Sequence, residues 1–234
     1  MTAQGVGGSG RGRGPRLTPP ACPLCAAPEP ALYHRDRSRA YWRCRRCALV
    51  FVPPEAWVDR AAERARYDQH RNAPDDPRYR RFLARLADPM IARLSRGAVG
   101  LDFGSGPGPT LDGMLADAGL RVHRYDPFYA PDPAVWSLRY DFITASEVVE
   151  HLRDPRGELD RLFSVLAPGG LLGVMTRWVG DRERFLRSRY IRDPTHVCFY
   201  DPETCRWIAR GWRAALELPG PDVALFRTTP ARPG

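Results

Sequence analysis

The chain contains no lysine; all 36 of its basic residues are arginine. A formal charge of +9 raises the question of a polyanionic partner. Uniform arginine use beside abundant alanine, glycine and proline reads instead as a compositional bias, although arginine is the better phosphate fork. Charge alone therefore selects no partner class. Long apolar runs are missing too: none approaches the ~18 residues of a membrane-spanning helix, and the first residues lack the apolar segment of a secretory signal. The expectation is a cytoplasmic protein. What the 234 residues do contain, at 43% hydrophobic, is enough for one α/β domain with an appendage.

Residues 1–20 are mostly glycine, arginine and proline, with almost nothing to bury, which predicts a disordered tail. Cys22, Cys25, Cys44 and Cys47 follow as C-x2-C-x18-C-x2-C. Two such knuckles present four thiolates to one tetrahedral ion, so the spacing predicts a zinc site. Disulfides compete as a reading, but intracellular enzymes rarely keep them. Four protein ligands leave no open position, so the expected role is structural. Tyr33, Tyr41, Trp42 and the run 48–52 give residues 21–53 the composition of a small β-ribbon. Arg43, Arg45 and Arg46 around the second knuckle are either an RNA contact or a solvated face offsetting the thiolates. Cys198 and Cys205 do not fit the knuckle pattern and are expected as buried thiols.

Residues 54–96 read as a helical linker or cap. One helix is expected over 55–70, and a second, amphipathic one over 78–94, with Tyr79, Phe82, Leu83, Leu86, Met90 and Leu94 on one face. Tyr67 and His70 are candidate site residues, with helix capping or core packing as the alternative.

The organising stretch is Val99-Gly-Leu-Asp-Phe-Gly-Ser-Gly-Pro-Gly-Pro-Thr110, followed by Leu111, Met114, Leu115 and Ala118. It reads as a buried strand, a tight glycine turn, and a helix opening near Pro109, a position where proline loses no helical hydrogen bond. The exposed N–H groups of such a turn attract an electronegative ligand group. About 20 residues on, the strand 120–126 ends in Asp126, where a carboxylate grips a ribose diol in a βαβ unit. The segment 127–139 leaves little room for a third strand and helix. Residues 140–145 form a buried strand whose carboxyl end carries Ser146 and Glu147, at the edge where open α/β sheets bind ligands. A helix is expected from Glu147 to 166, a turn at 168–170, a strand over 171–176, a polar aromatic connection to Tyr200, and a helix over 201–211. Strand candidates 214–218 and 223–228 close the chain. The fold class expected is α/β: a Rossmann-like, doubly wound, mostly parallel sheet over 97–234, with an antiparallel C-terminal edge strand, preceded by a small zinc ribbon.

Asp102-Phe-Gly-Ser-Gly-Pro-Gly108, Asp126, Glu147-Val-Val-Glu-His-Leu152 and the Pro-Gly-Gly turn before a strand together resemble class I S-adenosylmethionine-dependent methyltransferases over roughly 67–228. They are most similar to the bacterial group that includes ubiquinone-biosynthesis and sugar methyltransferases. The cysteine module resembles those of some sugar C-methyltransferases and of a bacterial ribosomal-RNA guanine methyltransferase group. The resemblance implies that Gly104, Ser105, Gly106 and Gly108 line the methionine part of S-adenosylmethionine, with Asp102 supporting the turn. It implies that Asp126 binds the ribose, that Pro127 and Phe128 flank adenine, and that Ser146 and Glu147 face the methyl donor. The family's acidic contact to the adenine amino group falls in the shortened segment, where Asp132 is a candidate substitute.

Transfer from a sulfonium needs alignment and water exclusion, and an oxygen or carbon acid also needs a general base. His196 and His151 are the candidates by chemistry, with a structural role as the alternative for each, and Glu147 at the strand end is a third catalytic candidate. The polar loop around His196 is expected to roof the pocket, where Arg192 either holds an acidic substrate group or pairs with Asp193. Three functions follow: a methyltransferase acting on a small metabolite, an RNA methyltransferase using the zinc module to hold its substrate, or a non-catalytic zinc-dependent RNA-binding protein. The intact glycine turn and Asp126 argue against the third. The chain has neither an Asn-Pro-Pro-Tyr-like segment nor paired catalytic cysteines, so the acceptor atom stays open.

Overall fold

A computed structural model describes residues 20–69, 73–108 and 110–230. The expected tail, His70 and Pro109 lie outside the described residues. The larger of two sheets has β4 (Val99–Phe103), β5 (Arg121–Tyr125), β6 (Tyr140–Ser146), β7 (Leu166–Met175), β9 (Ala215–Gly220) and β10 (Val223–Arg227) in the order β5-β4-β6-β7-β10-β9. The first four are parallel, and the C-terminal hairpin adds β10 antiparallel to β7 with β9 outermost. The expected fold class is therefore observed.

Helices cover both faces, as side-chain alternation in buried parallel strands requires. Helices α2 (Pro77–Ile91) and α3 (Thr110–Asp117) lie on one face, where Leu83, Leu86, Met90, Leu111 and Leu115 meet Phe142. On the other, α4 (Pro155–Val165) and α5 (Pro202–Gly211) bring Leu159, Leu162 and Ile208 against Ile143 and Val174. Burying side chains such as Leu86 and Met90 contributes about 1.5–3 kcal/mol each. Among the described residues, no helix is long and apolar enough to cross a membrane.

The smaller sheet runs β1 (Ala31–Arg35), β2 (Ala40–Arg43), β3 (Val50–Phe51), β8 (Cys198–Phe199). Its fourth strand was not foreseen. It comes from the connection after β7, so the cysteine module shares a sheet with the far end of the chain, and the Val52 N–H extends the pairing to the Val197 carbonyl at 2.8 Å.

Three elements differ from the sequence reading. The helix expected over 55–70 is a short 3-10 turn, Pro54–Ala56, and then α1 (Arg60–Tyr67). Asp59 caps α1 by accepting from the Ala62 N–H, so the true start lies five residues later than expected. The helix expected from Glu147 starts only at Pro155, where Asp154 accepts from the Gly157 N–H and proline occupies the first turn. Before it, Glu147 takes a left-handed backbone (φ 54°) and Val149–His151 form one 3-10 turn. The Pro-Gly-Gly turn is an irregularity inside β7, between the pairs Tyr140–Leu166 and Phe142–Leu171. Pro133–Ser137, a 3-10 turn, fills the place where a third strand had little room.

Gly100 lets β4 pass Phe142. A Cβ there would sit 2.2 Å from the ring, which is wholly buried and has nowhere to retreat. Gly100→Ala should therefore destabilise the fold by about 1–3 kcal/mol, read as a lower urea midpoint with an unchanged slope.

Candidate active site and cysteine cluster

Strands β4, β5 and β6 end at one edge, and the turns beyond them line a cavity of about 490 Å³. The glycine turn supplies Gly104 and Gly106 at φ +75° and +63°. A Cβ on Gly104 would strike Val148 at 2.4 Å, whereas one on Gly106 would meet nothing within 4 Å. The first glycine therefore closes the turn against the chain after β6, and the second opens onto space. Ser105 Oγ is buried at the cavity wall with no hydrogen-bond partner among the described residues. An orphaned hydroxyl beside an open glycine cradle fits a polar ligand.

Asp126 braces that cradle. One oxygen accepts from the Gly106 N–H at 3.0 Å, and the other from Phe128 and Tyr129 N–H at 2.8 and 3.1 Å. Pro127, Phe128 and Tyr129 continue the wall. Asp102 lies beneath the turn and not in the wall: it accepts from Thr144 Oγ1 at 2.8 Å, and burial pushes its carboxyl up to about 7 against that hydrogen bond. Gly108 is also outside the wall. Asp132 caps Pro133–Ser137 by accepting from the Ala134 N–H and does not line the cavity, which removes it as the substitute acidic contact.

Ser146, Glu147, His151 and His196 all reach the cavity. Burial raises the Glu147 carboxyl to about 7, helped by Asp222 and opposed by Arg85 and Arg177. His196 Nδ1 is 2.8 Å from the Tyr190 carbonyl and His151 Nδ1 3.2 Å from the Thr195 carbonyl. A carbonyl only accepts, so each Nδ1 bears the proton and each Nε2 the lone pair. The rings meet edge to face with centroids 4.7 Å apart. Burial lowers His196 to about 4, although Asp193 pulls the other way, so this ring is neutral at physiological pH.

Sequence reasoning missed Glu150, which lies fully buried behind the pair. Its Oε2 accepts from Thr176 Oγ1 at 3.0 Å, that hydroxyl is 2.7 Å from the Tyr190 hydroxyl, and its Oε1 has no partner among the described residues. Burial, with Glu147 nearby, raises its carboxyl well above the ordinary range. Glu150, His151 and His196 bring one potential ligand atom each to within 4.8 Å of one another. The cavity also takes Tyr79 and Phe82 from the apolar stripe of α2, and Tyr67, whose hydroxyl donates to Glu63 at 2.9 Å. Asp193 pairs with Arg66 at 2.9 Å, not with Arg192, and Arg192 does not line the cavity.

The cysteines converge far from this cavity in sequence but next to it through β8. Cys22–Cys47 and Cys25–Cys44 sulfurs lie 3.5 and 3.4 Å apart, and all four are within 4.8 Å of one another. Tetrahedral Zn–S bonds of about 2.3 Å place sulfurs about 3.8 Å apart, so the donor set fits one such ion. The knuckles repeat each other: Ala26 and Ala48 N–H bond back to Cys22 and Cys44 carbonyls, both alanines at positive φ. Cys198 and Cys205 are buried thiols outside the cluster.

A doubly wound sheet with a glycine cradle, a bracing carboxylate and an imidazole pair at its carboxyl edge has its cavity where open α/β sheets bind ligands. The chain belongs to the methyltransferase-domain family whose signature matches residues 67–212, and it is a methyltransferase. That membership sets aside the non-catalytic RNA-binding reading. No curated protein matches the chain. Solved structures similar to it include an O-methyltransferase family protein from Burkholderia thailandensis (14% identical, 73% of this chain and 64% of that one, TM-score 0.48). Others are the N-methyltransferase NodS from Bradyrhizobium japonicum with S-adenosyl-l-homocysteine (16%, 66% and 89%, 0.40) and human N-acetylserotonin methyltransferase with S-adenosylmethionine (15%, 64% and 53%, 0.44). Likenesses this distant leave the substrate open.

Asp102 generates a pH prediction. Its folded value near 7 exceeds the 3.8 of a free side chain, so its contribution to stability is full below about pH 4 and is lost as pH rises through 7. Asp102→Asn should remove up to roughly 4 kcal/mol of that pH-dependent loss, seen as a flatter plot of urea midpoint against pH from 4 to 8.

Proposed function

We propose that this enzyme moves a methyl group from S-adenosylmethionine to an oxygen or carbon acid on a small molecule, and that the four cysteines hold one structural zinc. The observation that carries the reading is a single cavity joining the glycine cradle, Asp126 and two imidazoles whose Nε2 atoms carry lone pairs. Bound S-adenosylmethionine supplies an electrophilic methyl on a sulfonium. Gly104, Ser105 and Gly106 hold its methionine part and Asp126 its ribose, while Pro127 and Phe128 flank the base. Ser146 and Glu147 stand beside the reacting centre.

The His151–His196 pair takes the acceptor's proton as its oxygen or carbon attacks. Tyr67, Tyr79 and Phe82 exclude water from the same space. A volume of about 490 Å³ lies within the ~300–1,000 Å³ of small-molecule sites. RNA is the weaker reading because the basic face at the knuckle is partly consumed: Arg43 pairs with Asp201 at 3.1 Å and lies 3.6 Å from Glu203, and Arg46 donates to the Cys25 carbonyl. In this reading residues 21–53 are a zinc module, 54–96 a helical linker or cap that lends Tyr67, Tyr79 and Phe82 to the cavity, and 97–234 the catalytic domain.

Calorimetric titration of the full chain with S-adenosylmethionine and with NAD, beside metal analysis, tests the proposal. Micromolar binding of the first alone and one zinc per chain are expected. Asp126→Ala should weaken binding by about tenfold or more, the loss of one hydrogen bond to a charged group. A folded, metal-replete chain that binds no S-adenosylmethionine overturns the cofactor assignment. Salt-sensitive RNA binding with methyl transfer to bulk RNA moves the substrate to the polymer.

A further inference from the structure

The loop 190–196 presents its carbonyls to two sides. Toward the cavity, the Tyr190 carbonyl holds His196 Nδ1 and the Thr195 carbonyl holds His151 Nδ1. On the other side, three of the remaining carbonyls meet one residue of the cysteine module. Arg39 Nη2 donates to the Ile191 carbonyl, and Nη1 donates to those of His196 at 3.1 Å and Pro194 at 3.4 Å. The carbonyls that fix the imidazoles, at 190 and 195, are therefore each followed directly by a carbonyl fixed by one guanidinium, at 191 and 196.

Arg39 is itself tightly placed. It is only 8% exposed and forms no ion pair among the described residues, so its charge is satisfied largely by peptide dipoles. A buried cation without a carboxylate is costly, and this one directs both terminal nitrogens at the loop. Asp36 pins the backbone of the β1–β2 turn by accepting from Ser38 and Arg39 N–H, each at 2.7 Å. Asp36 also accepts from the Tyr41 hydroxyl, which lies 3.1 Å from the same Ile191 carbonyl. Strand β2 then runs into Cys44, and β3, just after Cys47, pairs with β8 beyond His196.

We propose that Arg39 is a positioning residue for methyl transfer, holding the 190–196 loop so that both histidines aim their basic nitrogens at the cavity, and that it ties this geometry to the cysteine module. The inference rests on the reading of the imidazole pair as the proton acceptor. It assigns the module a second task beyond its own folding. Lysine cannot replace arginine here, because a point ammonium lacks the planar fork that spans three carbonyls.

The test is ring-nitrogen NMR of histidine-labelled, zinc-loaded full chain with S-adenosylhomocysteine bound, comparing wild type with Arg39→Lys and Arg39→Gln. The charged groups facing His196 are Asp193, Arg39 and Arg66, with Glu150 and His151 beside it. Arg39→Lys keeps the local charge, so a purely electrostatic effect leaves the His196 titration midpoint where it is. Positioning predicts that the midpoint rises by about 1 pH unit or more as the ring gains water, that both Nδ1–H tautomers become mixed, and that cofactor affinity stays within about twofold.

An unchanged midpoint and unchanged tautomers in folded Arg39→Lys overturn the proposal. If the Arg39 variants do not fold, Tyr41→Phe decides: a smaller shift in the same direction supports the proposal, and none contradicts it. His196→Gln separates this from the catalytic reading. Undiminished methyl transfer in that variant removes the base assignment, while the tautomer shift in Arg39→Lys still reports whether Arg39 sets the loop.

Discussion

The segment from Tyr190 to Phe199 is shared by two structures, and much of the molecule is arranged around that constraint. Its last two residues are the fourth strand of the sheet that carries the cysteine cluster, while eight residues before that strand its carbonyls begin to orient the cavity's imidazoles. The segment also bonds to the chain beyond β6, where the Val197 N–H donates to the Glu150 carbonyl at 2.8 Å. A ten-residue connection with so many turns would ordinarily sample many conformations. Here Arg39, Tyr41, Arg66 and the pairing of β3 with β8 remove that freedom. Preorganisation of this kind places the cost of ordering on folding and not on catalysis.

Electrostatics on the cavity floor follow the same logic. Asp102, Glu147 and Glu150 are carboxyls that burial drives toward the neutral form, and each lies at or behind the edge where the strands end. Three ionised carboxylates there would repel one another and demand counter-charge. Burial favours their neutral forms, whereas Asp126 is braced by three backbone N–H groups at the cavity wall. The site gives up some stability at neutral pH for this arrangement, as strained or polar sites commonly do.

The features legible in the sequence are those whose chemistry is local. A glycine turn, a carboxylate at the next strand end and two C-x2-C knuckles each need only neighbouring residues, and each is found where its spacing places it. The apolar and acidic pattern from Glu147 suits a helix, but Asp154-Pro155 supplies the stronger start about two turns later. Tyr79 and Phe82 share one apolar stripe with Leu83 and Met90. Periodicity cannot say which members of a stripe face a core and which face a cavity. Arg39 was invisible because its partners lie more than 150 residues away and are backbone atoms, which carry no residue signature. The two-residue strand β8 is too short for any period to show.

A crystal structure of the chain grown with S-adenosylhomocysteine, with anomalous data at the zinc edge, bears most directly on the central claim. The account predicts the ribose hydroxyls on Asp126, the methionine part along Gly104–Gly106, the sulfur facing His151 and His196, and one anomalous peak among Cys22, Cys25, Cys44 and Cys47. Ligand bound elsewhere, or a cavity whose sulfur site is screened from both imidazoles, would contradict it.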